Sequence, residues 1–242
     1  MISINSGKFL LGLFALPLVK LGIKTIYCGV KALKEAVYTS IKSDATIEFI
    51  EKKSRFIGHA RPVQDVEEAE RFIDSIKNLH PSATHNVWAY RLGISGQIQK
   101  FSDDGEPSQT AGMPTLDVIL KQDITQVVIV TTRYFGGILL GAGGLVRAYS
   151  KAAADAIAAA GVVSYGRREQ YRFSVAYSEW GALQNHCEKR SWTLKDIDYA
   201  EHVTCTAVIK EGEAEDLSAF LQDLTSGRVS PQFVSSIYLP ID

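Results

Sequence analysis

The stretch that most constrains this chain is TQVVIVTTRYFGGILLGAGGLVRAYSKAAADAIAAA, Thr125 to Ala160. It opens on the most strongly β-prone run of the sequence, rich in valine, isoleucine and threonine. Five glycines follow within nine residues, Gly136, Gly137, Gly141, Gly143 and Gly144, between Arg133 and Arg147. An alanine-rich helix comes next, with Leu145, Tyr149, Ala152, Ala153, Ala156 and Ile157 on one stripe. Gly161 ends it. Strand, glycine turn and helix in direct succession predict a mixed α/β chain.

A glycine turn between strand and helix often holds phosphate, so the nucleotide fingerprints come first. Gly136 and Gly141 have the Walker A spacing, but Ala142 stands at the lysine position. Gly141 and Gly143 begin the dinucleotide pattern, but Val146 replaces its third glycine. Both fingerprints fail. Two readings stay open. Free N–H groups at the helix start, with Arg133 and Arg147 beside them, form an anion site. Alternatively the glycines only let two backbones approach in a tight turn.

Other polar groups are candidates too. In SDDGEP, Asp103, Asp104 and Glu106 offer carboxylates for a hard cation or for acid–base work, although Asp-Gly is also a common turn. His85 opens a strand, HNVWAYRLG, as a proton carrier or a hydrogen-bonded strand end. His59 and His80 lack metal-ligand spacing. His186 and Cys187 are helix neighbours that point apart, and no GxSxG elbow occurs. Lys52, Lys53 and Arg55 surround a hairpin turn, and Arg167, Arg168 and Arg172 sit among Tyr165 and Tyr171. Such groups suit RNA, but they also occur as solvated surface.

The rest of the pattern predicts strands over ATIEFI and RFIGHARPV, then a helix capped by Asp65 with Glu68 three residues on. A hairpin over residues 85–105 and a helix beginning between Thr110 and Pro114 follow. YGRREQ, Tyr165 to Gln170, reads as a domain boundary. Beyond it the order is β-α-β-β-α-β, a ferredoxin-like arrangement.

The first forty residues differ. FLLGLFALPLV, Phe9 to Val19, is too short for the roughly 20 residues of a membrane span, and no signal-cleavage pattern follows it. Leu21, Ile23, Ile26, Tyr27, Val30, Leu33 and Val37 then recur at helical spacing opposite several lysines. This is an amphipathic helix, with membrane-surface contact, core packing or a mere extension as its readings. The net charge of −1 gives no protein-wide field to gather nucleic acid, so any such contact needs a local patch. Three cysteines without a CxxC pair fit reduced thiols in a cytoplasmic protein.

The strings KKSRFIGHARPV, HNVWAYRLG, FSDDGEPSQTAGMP and VVIVTTRYFGGILLGAGGLVRAYSKAA together resemble the Impact/YigZ family from about Tyr38 onward. The resemblance implies an α/β (α+β) fold of two domains. The first, 38–165, is similar to the second domain of ribosomal protein S5, a sheet with helices on one face. The second, 169–242, is ferredoxin-like and similar to the last domain of elongation factor G. Residues 1–37 lie outside the pattern. Eukaryotic Impact proteins regulate translation through a partner that activates an initiation-factor kinase. Two departures stand out: Gln109 replaces the usual glycine, and Val87 stands where many relatives carry cysteine.

The expectation carried forward is a binding protein that regulates translation and touches RNA or the ribosome. Arg133, Gly136, Gly137, Gly141, Gly143, Gly144 and Arg147 hold phosphate. No cofactor, metal or catalytic residue is assigned. The alternative is an enzyme acting on a phosphorylated small molecule, with His85, Asp103, Asp104 and Glu106 as its polar site. A protein partner is a third option.

Overall fold

A computed structural model describes residues 36–241 of the chain. Two five-stranded antiparallel sheets carry this part of the molecule. The first is built from β2 (Ala45–Glu51), β3 (Ser54–Pro62), β4 (His85–Leu92), β5 (Ile98–Ser102) and β6 (Val127–Tyr134), in the order β2-β3-β6-β4-β5. Three helices belong to it: α1 (Val66–Leu79), α2 (Gly112–Lys121) and α3 (Ala142–Ala160).

The side chains of β6 alternate between the faces of this sheet, and both faces are covered. Val128 and Val130 pack with Phe72, Ile73 and Ile76 of α1. Val127 and Ile129 pack on the other side with Ile119 of α2 and with Ala153, Ala156 and Ile157 of α3. The expectation of helices on one face is therefore corrected. The continuous apolar run of β6 is what a strand buried on both faces requires. The alanines of α3 bring that helix close to the sheet. A Cβ at Gly58 would lie 3.0 Å from the backbone oxygen of Ala152. At the start of α1 the Asp65 carboxylate accepts the Glu68 N–H, as its sequence position predicts.

The second sheet contains β7 (Val162–Val175), β8 (Thr193–Tyr199), β9 (Val203–Lys210) and β10 (Gln232–Ile241), with α4 (Tyr177–Arg190) and α5 (Ala214–Leu224) in the connections. Its order β10-β7-β9-β8 is the ferredoxin-like one. Phe173, Val175, Leu183, Cys205, Leu217 and Leu221 make its core. Burial pushes the thiols of Cys187 and Cys205 up to about 11 and about 12, which leaves both inert at neutral pH.

Two features differ from the sequence expectation. A short strand, β1 (Ala36–Ile41), precedes the first sheet in the chain but pairs with β7 of the second. Val37, read above as the end of an amphipathic helix, belongs to this strand; the remainder of that segment lies outside the described residues. Tyr165 to Gln170 is the middle of β7 and no linker. β1 also ties the sheets together. The Thr125 N–H donates to the Thr39 carbonyl, and the Ser40 hydroxyl donates to the Gln126 carbonyl. Six residues are too few for a strand to stand out beside the seventeen-residue helical pattern of Leu21 to Val37. No helix among the described residues is long and apolar enough to cross a membrane.

One buried group in the first sheet makes stability pH-dependent. His59 on β3 is hydrogen-bonded to the Thr46 hydroxyl at 3.1 Å and lies against His80. Burial, and then the neighbouring His80, pull its pKa down to about 4. Above about pH 6.5 the imidazole is neutral in folded and unfolded chains alike. Between there and about 4 the unfolded chain takes up a proton that the fold refuses, so stability falls as pH falls. The expected loss is about 2 kcal/mol once solvent screening is allowed for. Urea unfolding at pH 7.5 and 4.5 measures it, and His59→Gln should flatten the difference.

Candidate functional site

The sheet register builds the site. His85 on β4 and Phe56 on β3 stand directly opposite Arg133 on β6, so all three side chains share the face that carries α2 and α3. Arg133 is buried, with 5% of its side chain exposed. Its Nη1 donates to Glu106 Oε1 at 2.6 Å and its Nη2 donates to the Ser54 hydroxyl at 3.3 Å. The rings of Phe56 and Phe135 lie 5.5 and 5.4 Å from the guanidinium carbon. From α3 the Tyr149 hydroxyl also donates to Glu106 Oε1, at 2.7 Å. Burial and the Glu106 carboxylate push the Tyr149 phenol well above its ordinary range, so it stays a donor.

The SDDGEP turn places Glu106, and its two aspartates hold the turn. Asp103 Oδ1 accepts the N–H groups of Ala111 and Gly112, at 3.0 and 2.8 Å. Its Oδ2 accepts that of Gln109 at 2.8 Å. Asp104 Oδ2 accepts the Asn86 N–H at 2.6 Å. Asp103 and Asp104 are thus consumed by backbone donors, and of the expected carboxylates Glu106 alone enters the site. Gln109 has φ +64°, the left-handed region in which a glycine costs least. That is the physical content of its departure from the family pattern. Val87, the other departure, is fully buried in the core beside Phe56.

His85 is oriented by the same turn. Its Nδ1 lies 2.8 Å from the Asp104 carbonyl, which can only accept. The proton of the neutral ring therefore sits on Nδ1, and Nε2 is left as an acceptor. That atom is 3.8 Å from Glu106 Oε2. Both border a cleft of about 350 Å³ whose other walls include Pro107, Phe135, Leu139 and Gly141.

Leu139, Leu140, Gly141 and Ala142 of the glycine loop line this cleft, and its other four glycines do not. Gly136 is glycine because of a close approach: a Cβ there would lie 2.0 Å from the Lys53 carbonyl group. Gly141 has φ +73° and serves as N-cap of α3 without any side-chain cap. Gly143 is different. It has neither a positive φ nor a crowding neighbour, and the nearest atom to an added Cβ is Nη1 of Arg147 at 3.8 Å. Arg147 is exposed, and no ion pair holds it among the described residues. Its guanidinium and the bare first turn of α3 lie side by side.

Arg133 needs a correction. It is no open phosphate ligand, because Glu106 already neutralises it inside the wall. The structure brings His85, Glu106, Arg133 and Gly141 to one cleft. Arg147 is not among its lining residues; it lies on the exposed face of α3 beside Gly143. Tyr149, Ser54 and Phe135 escaped the sequence reading. Tyr149 was visible only as one member of an apolar stripe. Arg55 pairs with Glu48 and Arg167 with Glu211, both away from this cleft.

The Impact N-terminal domain matches residues 52–157, and a domain of unknown function, DUF1949, matches residues 173–228. The IMPACT family member YvyE of Bacillus subtilis is 40% identical over 191 residues, covering 79% of this chain and 88% of that protein. The chain belongs to the Impact family. The IMPACT family member YigZ of Escherichia coli is 32% identical over 178 residues, covering 73% and 87% of the two chains. The protein IMPACT homolog of Dictyostelium discoideum is 40% identical over 96 residues, 38% of this chain and 27% of that one. A crystal structure of a hypothetical protein superposes with a TM-score of 0.56 at 29% identity, covering 82% of this chain and 97% of that one. His85, Glu106, Arg133, Tyr149 and the glycine loop all fall inside the matched Impact domain.

Proposed function

We propose that this Impact-family protein regulates translation by binding RNA, on the ribosome or associated with it, through the glycine loop and the cleft behind it. The observation that carries this reading is Gly143. Glycine in the first turn of a helix costs stability, and neither backbone geometry nor packing demands it there. What it does is keep the helix N-terminus bare beside the guanidinium of Arg147, which has no ion-pair partner among the described residues. Uncapped N–H groups, the positive end of the helix dipole and a free arginine are together suited to a backbone phosphate. Phe135, which lines the cleft together with Gly141 and Ala142 at the start of that helix, is 44% exposed and offers a face for stacking. The likeness to eukaryotic Impact proteins, which act on translation, supports the same assignment.

Binding to ribosomes and to structured RNA, titrated against salt, tests it. Affinity should fall linearly on logarithmic axes as salt rises. Arg147→Ala should weaken binding to all sequences alike and reduce the slope by about 1. Salt-insensitive binding, or none, would sink the reading.

A second reading, an enzyme acting on a phosphorylated small molecule, is favoured by one observation. His85 Nε2 and Glu106 Oε2 converge 3.8 Å apart beside the helix N-terminus. Turnover of small phosphorylated compounds that is lost in His85→Ala would favour it over RNA binding.

A further inference from the structure

We infer that the cleft reads one base, and that it takes a nucleobase carrying an exocyclic amino group and refuses uracil. The inference rests on the RNA-binding reading and gives that site its specificity. Glu106 is 97% buried, since only 3% of its side chain is exposed. Its Oε1 already accepts from Arg133 and Tyr149. Its Oε2 makes no hydrogen bond among the described residues and borders the cleft beside His85 Nε2. His85 must donate through Nδ1 to the Asp104 carbonyl, so in the neutral ring Nε2 can only accept.

The cleft thus presents two acceptors 3.8 Å apart, while the terminal nitrogens of Arg133 are turned to Glu106 Oε1 and Ser54. One chemical group answers both: an –NH2 with two N–H donors. Adenine, cytosine and guanine each carry one. Uracil presents carbonyl oxygens on either side of its single N–H, and one of those oxygens would meet the carboxylate. A buried acceptor left unpaired by the wrong ligand is costly, which is why such sites discriminate strongly.

The remaining walls fit a base. Pro107, Phe135, Leu139 and Leu145 are apolar, and about 350 Å³ is within the range that small ligands occupy. Arg133 neutralises Glu106, so the floor of the cleft does not repel the phosphate of the same nucleotide. That phosphate falls to Gly141 and Ala142 at the start of α3, which border the same cleft. The chemistry is that of a nucleotide, whether splayed out of an RNA strand or free in solution.

Fluorescence anisotropy with labelled ten-nucleotide strands of adenylate, cytidylate and uridylate tests this, with unlabelled AMP as competitor. The adenylate and cytidylate strands should bind about tenfold or more tighter than the uridylate strand. An adenylate strand with purine riboside in place of adenosine, which lacks only the 6-amino group, should drop to the uridylate level. His85→Ala should narrow the preference. Equal affinity for all strands overturns base selection and leaves RNA binding intact. AMP binding at the cleft without strand binding keeps the amino-base pocket and overturns the RNA reading. No binding of strand or nucleotide overturns both.

Discussion

Replacing Arg133 with methionine should destabilise the protein by about 3–5 kcal/mol, the expected cost of breaking a buried ion pair from one side. The reason lies with the partner that remains. Glu106 would keep its charge inside the wall of the cleft with only the Tyr149 hydroxyl beside it. The same logic applies from the other side, because Glu106→Leu strands a buried guanidinium that Ser54 alone cannot satisfy. Removing both should be far milder than either single change, since no buried charge is left over. For a unit of this size each kcal/mol moves the melting temperature by roughly 2–4 °C, so the single variants should melt about 10 °C lower. Urea midpoints of the four proteins of this cycle give the coupling directly. Additive costs would mean that the pair does not work as a unit. Tyr149→Phe belongs to the same network and should cost about 1.5–3 kcal/mol, the value of one hydrogen bond to a charged group.

The sequence carried much of this fold, for reasons that individual elements make plain. Long periodic segments were legible: the alanine stripe of α3, the β-branched run of β6 and the Asp65 cap each arise from local physics and appear where that physics puts them. What local patterning could not show is pairing. β1 is six residues long, and its partner strand begins more than a hundred residues later, so nothing near Ala36 announces the second sheet. The covering of β6 on both faces was implicit in its unbroken apolar run, but α1 gave no sign of which face it would take. The same limit explains the site. His85, Glu106 and Arg133 were visible as polar residues, yet only the row across β4 and β6 makes His85 and Arg133 neighbours. Arg133 looked like a free cation because its carboxylate is 27 residues away in sequence. Asp103 and Asp104 looked as available as Glu106, and only the backbone N–H groups that they accept separate them from it.

On the proposed reading, the bare first turn of α3 is where this protein meets a phosphate. Gly143→Asp separates that role from the fold. The position has room for a side chain, with its nearest neighbour an arginine nitrogen at 3.8 Å. A carboxylate there suits the helix dipole by about 0.3–1 kcal/mol and faces Arg147 four residues on. Loss of a helical glycine adds only about 0.3 kcal/mol, since aspartate ranks little better than glycine in helices. The variant should therefore melt at or above the wild-type temperature. Its carboxylate, however, occupies the anion position and takes the guanidinium for itself. The deciding measurement is the dissociation constant of Gly143→Asp for ribosomes and for the adenylate strand at low salt, beside that of the wild type. A stable variant whose binding is weakened about tenfold or more is the predicted result. A stable variant that binds RNA as tightly as the wild type would place the phosphate contact elsewhere than the first turn of α3.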